Sequence, residues 1–390
     1  MTDPTMRDVP LTDELFRGVA ELERTANGVQ PHRLPAWARR QLPDPQLLMA
    51  EAQPSGVRLV MQTTATTIEL TTRPTRVGYV GAPARPAGVY ELVVDGEPFG
   101  CASVDGGDLL LIDMTTGGRE VTRGEPGTAT FRDLPARSKT VELWLPHNEL
   151  TELVVLRADA PVEPLGSSGC RVWLHHGSSI SHGSNALTPT GTWPAVAAAS
   201  AGVDLVNLGF GGSALLDPAT ARTMRDLRAD VISVKIGINL VNADLMRVRG
   251  FVAAVHGFLD TIREGHPDAP LLVVSPILCP IHEDAPGPGM PDPSTLGTDA
   301  VRFMATGDPA DIAMGKLTLR VIREQLRQIV EARRVDDSHL HLLDGLSLYG
   351  EEEAETHPLP DALHPSAETH RLMGERFAEL ALAPGGPLGS

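Results

Sequence analysis

The feature that most restricts the fold of this chain is a change of hydrophobic period near residue 170. From there on, short apolar runs at 172–176, 205–210, 231–237, 271–276 and 340–345 alternate with helix-like stretches. Strands separated by helices cannot be joined as tight hairpins, so they pair in parallel and need cover on both faces. The expectation is an α/β domain over 170–382. Its longest helical pattern is ADIAMGKLTLRVIREQLRQIVEARR, in which Leu319, Ile322, Leu326, Ile329 and Val330 recur three and four apart while Arg and Glu fill the other face.

Upstream the period is two. Segments at 57–63, 66–72, 88–97, 108–114, 127–134 and 140–146 are separated by turn signals such as Asp95-Gly96 and Asp105-Gly106-Gly107. A last strand and linker follow at 150–164. Strands at this spacing without helical patterns predict an antiparallel β-sandwich, jelly-roll-like, over 51–165. Residues 1–50 read as a helical and irregular lead-in, with one helix around Leu15, Val19 and Leu22 ahead of Pro31, Pro35, Pro43 and Pro45. Residues 383–390 read as a flexible tail. A chain of 390 residues exceeds what one core usually organises, which suits this division.

Composition narrows the partners. Hydrophobic residues make up 42% and charged residues 21%, which excludes a disordered chain. No apolar run reaches the 18 residues of a membrane span. Acidic residues outnumber basic ones 50 to 33, a net charge of −17, which argues against nucleic acid and against an anionic membrane. The three cysteines show no CxxC spacing, so neither a disulfide framework nor a Cys-rich zinc site is expected. With a polar N-terminal stretch, they point to a reducing, cytoplasmic setting. The histidines lack HExxH spacing and the glycines lack GxGxxG. No metal and no cofactor are expected.

In parallel sheets, ligands bind at the carboxyl ends of the strands, so the chemistry is sought there. The first α/β strand runs into Gly177-Ser178-Ser179-Ile180-Ser181, where small residues allow a turn that presents a hydroxyl. The GxSxG elbow is absent. The second strand runs into Asn207-Leu208-Gly209-Phe210-Gly211-Gly212, whose backbone N–H groups suit an oxyanion or a phosphate. The third ends Gly237-Ile238-Asn239, offering a carboxamide. Before the last helix stands Asp361-Ala362-Leu363-His364-Pro365, in which a carboxylate can bond one imidazole nitrogen and leave the other for a serine.

In this order the four blocks resemble those of the SGNH hydrolase family, also called GDSL-like lipases and acylhydrolases, over about 170 to 382. The resemblance implies a flavodoxin-like three-layer α/β domain. It also implies a nucleophile at Ser179, a base at His364 and an acid at Asp361. The oxyanion would be met by Gly212, the Asn239 side chain and the Ser179 backbone. Two departures stand out: the family's GDS is Gly177-Ser178-Ser179 here, and its GxND is Gly237-Ile238-Asn239-Leu240. The first raises the question of which serine attacks; the second removes a carboxylate.

The implied activity is hydrolysis of short acyl esters through an acyl-enzyme. A β-sandwich ahead of such a domain is similar to two-domain carbohydrate acetyl esterases, so a carbohydrate or small-metabolite ester is the expected partner. Acyl transfer by the same three residues is one alternative, and a non-catalytic binding protein on this scaffold is another. Ser178, His182, His147, Asn148 and His282 are candidate substrate contacts, and the long Pro-rich stretch Ile277 to Asp311 is expected to wall the pocket. His357 is a rival base, lacking an aspartate three residues before it.

Overall fold

A computed structural model of the chain describes residues 6–81, 84–113, 116–166, 169–298 and 300–389. The chain divides into two compact units. One takes the described parts of 1–35, 51–170 and 187–190; the other takes 36–50, 171–186 and 191–390.

The first unit is a β-sandwich of an eight-stranded and a six-stranded sheet. Alternating residues of both sheets, among them Leu59, Met61, Leu92, Val141 and Leu143 from one and Ile68, Leu70, Phe131, Leu153 and Leu156 from the other, share a single buried core. Pairing is antiparallel except between Ile68–Tyr79 and Asp108–Ile112, which run parallel. The lead-in is corrected here. Instead of a helix, Phe16–Arg17 pairs with Arg58 and Leu59, and Glu21–Arg24 forms a ladder with Val29–His32. Leu15 and Phe16 enter the sandwich core, so pairing with distant strands overrides the local helical spacing. The other part of the lead-in, the helices Ala36–Gln41 and Pro45–Ala52, falls largely in the second unit.

The second unit carries a five-stranded parallel sheet: β1 (Val172–Gly177), β2 (Asp204–Gly209), β3 (Val231–Lys235), β4 (Leu271–Val274) and β5 (Leu340–Leu343). The spatial order is β2-β1-β3-β4-β5, the flavodoxin-like order, whose switch point lies between the first and third strands. Both faces are covered. Trp173 of β1 packs on Trp193 and Phe377 from one side, while His176 of the same strand stacks on Phe258 from the other. The predicted stripe Leu319, Ile322, Leu326, Ile329 and Val330 is buried, but its helix spans only Leu319–Arg333. It starts where the Thr318 side chain accepts the N–H of Val321.

One further expectation changes. Residues 383–389 are not a loose tail: Leu388 is fully buried and its carbonyl accepts from Arg171. The stretch from Ile277 to Asp311 contains a two-stranded sheet, Gly289–Pro291 with Phe303–Ala305, and short 3-10 turns. Among the described residues, no helix is long and apolar enough to cross a membrane.

Candidate active site

Ser179 opens the short helix Ser179–His182 that follows β1. The helix lies directly on the end of β2. A Cβ at Gly209 would come within 2.6 Å of the His182 nitrogen, so only glycine allows this approach. Underneath, His175 Nε2 meets Ser181 Oγ at 2.8 Å and its Nδ1 meets Ser233 Oγ at 2.7 Å. Asn207 Nδ2 donates to the Ser181 carbonyl at 2.9 Å. Burial, then the neighbouring His176 and Lys235, hold the His175 imidazole well below its ordinary range, so it braces the turn as a neutral ring.

The two serines of the block have different surroundings. Ser178 is buried, and its Oγ accepts the N–H of Ile180 at 3.3 Å as the helix cap. Ser179 Oγ lies 2.9 Å from His364 Nε2. His364 Nδ1 lies 2.7 Å from Asp361 Oδ2, and Asp361 Oδ1 accepts the N–H groups of Leu363 and His364. Asn185 Nδ2 is 3.5 Å from Oδ2. Burial pushes the Asp361 carboxyl up, but the hydrogen bonds and charge of His364 and the two N–H groups outweigh it and hold it below the usual carboxylate range. An ionised carboxylate only accepts, so the arrangement suits a proton on Nδ1 with Nε2 facing the Ser179 hydroxyl. The His364 and Asp361 side chains are 13% and 19% exposed, shielded but reachable.

Asn239 sits in the turn of helix Ile238–Asn242 that follows β3. Its Oδ1 accepts the N–H of Ala214 at 3.1 Å, which makes Nδ2 the free end of the amide. Gly211 and Gly212 are held by a residue that the sequence reading missed. Gln46, from the N-terminal helix Pro45–Ala52, donates Nε2–H to the Gly211 carbonyl at 2.8 Å. Nothing local in the sequence signals this contact.

The remaining candidates have other partners. His182 is buried and its Nδ1 accepts the Gly211 N–H at 3.3 Å. His282 is fully buried, with Nδ1 3.1 Å from the Ala285 carbonyl. His282 and Ser178 are both buried. His147, buried, and Asn148, whose carbonyl accepts from Gln53, belong to the sandwich unit. His357 caps a helix end with Nδ1 3.5 Å from Glu368, and does not join Ser179.

Residues 176–372 match the family model described as GDSL-like Lipase/Acylhydrolase. The chain belongs to this family. That match runs from the end of β1 into the helix Ala367–Phe377, and residues 15–156 match a second model, described as the N-terminal domain of SsfX3. Among solved structures, the GDSL-like chain is 28% identical to a salicylyl-acyltransferase, SsfX3, from a tetracycline biosynthetic pathway, with TM-score 0.75 over 95% of each chain. It also shares its fold with a structure described as a GDSL-like lipase from Bacteroides ovatus, at 17% identity and TM-score 0.66 over 96% of each chain. A family two carbohydrate esterase from Clostridium thermocellum is 13% identical, with TM-score 0.56 over 97% of each chain. None of the curated proteins compared with the chain matches it.

Proposed function

We propose that the chain cleaves short acyl esters through an acyl-enzyme on Ser179. The observation that carries this reading is the continuous hydrogen-bonded line Ser179 Oγ, His364 Nε2, His364 Nδ1, Asp361 Oδ2. As Ser179 Oγ bonds to the ester carbonyl carbon, its proton passes to Nε2, and Asp361 stabilises the imidazolium. The tetrahedral oxyanion is met by Asn239 Nδ2 and the N–H groups of Gly212 and Ser179. Ser179 is the first helical residue, where a backbone N–H lacks a partner within the helix. The C–O bond to the leaving alcohol then breaks, and that alcohol takes the proton from Nε2. In the second half, water gives a proton to Nε2 as its oxygen bonds to the acyl carbon; the bond from that carbon to Ser179 Oγ then breaks, Oγ takes the proton back from Nε2, and the acid leaves.

A second reading replaces water with an acceptor hydroxyl. It is supported by the likeness to the salicylyl-acyltransferase, which extends over both units at 28% identity, and by the N-terminal family match. Acetylated carbohydrates stand as a candidate substrate class on the fold likeness to the carbohydrate esterase. Intact-protein mass spectrometry after mixing with p-nitrophenyl acetate is the test. An added acetyl group mapping to Ser179 supports the reading, and turnover with no such adduct in rapid-quench samples rejects it. Product masses with and without added alcohols separate the two acceptors.

A further inference from the structure

The stretch between β4 and the Leu319–Arg333 helix is fastened to the turn that carries Asp361 and His364. Phe303 donates its backbone N–H to the Asp361 carbonyl at 2.9 Å. Its ring meets the His364 imidazole edge to face, with centroids 5.8 Å apart and planes at 81°. Cys279 Sγ lies 3.5 Å from the Ala362 carbonyl. Between these contacts Ala362 holds φ at 67°, a left-handed conformation that a residue with a Cβ disfavours.

The small sheet that carries Phe303 has a firm base. A Cβ at Gly289 would come within 2.7 Å of Asn242 Oδ1, so this sheet packs directly on the Ile238–Asn242 helix. Phe303 pairs with Pro291 in its register. One small element therefore rests on the helix bearing Asn239 and presses on the imidazole of His364.

We propose that Phe303 is a positioning residue for the acyl-transfer chemistry: its ring holds the strained Asp361–His364 turn in the conformation that presents His364 to Ser179. This rests on the reading that His364 is the base. It goes beyond the expectation that the stretch walls the pocket, because a wall changes substrate binding, whereas a brace changes the rate of the bound complex.

The test uses the full chain with Phe303→Ala, Phe303→Tyr, Ala362→Gly and the double variant Phe303→Ala/Ala362→Gly. Steady-state kcat and KM on p-nitrophenyl acetate, fluorophosphonate labelling of Ser179 and thermal melting are measured together. The expected result is a fall of about tenfold to a hundredfold in kcat and labelling rate for Phe303→Ala, with KM nearly unchanged. Phe303→Tyr stays near wild type. Glycine tolerates the left-handed turn without a brace, so the double variant recovers most of the loss. Unchanged kcat, a change confined to KM, or no recovery in a folded double variant overturns the proposal. If Phe303→Ala does not fold, Phe303→Leu is judged by the same criteria. Loss of activity in Ser179→Ala with full kcat in Phe303→Ala defeats this inference alone, whereas retained activity in Ser179→Ala defeats the underlying reading.

Discussion

Asp361 holds its neighbour three positions on at two points: Oδ1 accepts the backbone N–H of His364 at 2.6 Å, and Oδ2 faces the ring Nδ1 at 2.7 Å. One carboxylate thus sets both where the imidazole starts and which way it turns. Asp361→Asn leaves the shape but offers an amide donor on one side, so the ring takes the wrong tautomer. We expect kcat to fall about 10⁴-fold with the melting temperature little changed, read by ester hydrolysis and calorimetry on the same sample.

The two adjacent serines separate cleanly. Ser179→Ala removes the hydroxyl that faces His364, and kcat should drop by about 10⁴-fold or more. Ser178→Ala removes a helix cap and should cost about 1 kcal/mol in denaturant unfolding while activity stays within a few-fold. The opposite pattern would move the nucleophile to Ser178.

Asn239 gives a prediction on rate rather than binding. Truncation by Asn239→Ala deletes an oxyanion donor, so kcat should fall about 10²- to 10³-fold with KM held. The Ala214 N–H also loses its acceptor, so a small drop in stability should accompany it. An effect on KM alone would speak against an oxyanion role.

Asp217 makes stability depend on pH. Burial, then the nearby Asp44, raises its carboxyl to about 6. The folded state binds this proton more tightly than the unfolded chain, where the group titrates near 3.8. Its contribution is therefore full below the unfolded value and is lost as pH rises through about 6. Asp217→Asn should flatten the melting temperature between these limits and be the more stable protein at pH 7. A gap between wild type and variant that shrinks with rising pH would contradict this.

Much of the site was legible because its parts lie beside strand ends. Ser179 and Asn239 follow β1 and β3 within a few positions, and Asp361 and His364 share one turn, so local spacing carries the information. Parallel pairing follows from strand–helix alternation, whereas the flavodoxin-like arrangement was implied only by the family resemblance. What was illegible depends on contacts between distant segments. Gln46 reaches Gly211 across 165 positions of sequence, and no periodicity around either residue encodes that meeting. Phe303 sits in a stretch whose proline content signals irregularity, not a paired sheet on the Asn239 helix. The helix expected around Leu15 was misread because Leu15 ends the 3-10 turn Asp13–Leu15 and packs in the sandwich core, while the Phe16–Arg17 strand after it exists only by pairing with Arg58 and Leu59.

Residues 36–50 count with the α/β unit although sandwich segments precede and follow them in the chain. A single crossover near residue 170 that exchanged the N-terminal part would carry away Gln46 and with it the support of Gly211. The α/β unit is thus discontinuous in sequence, and a fragment that starts at residue 171 lacks a segment that belongs to it.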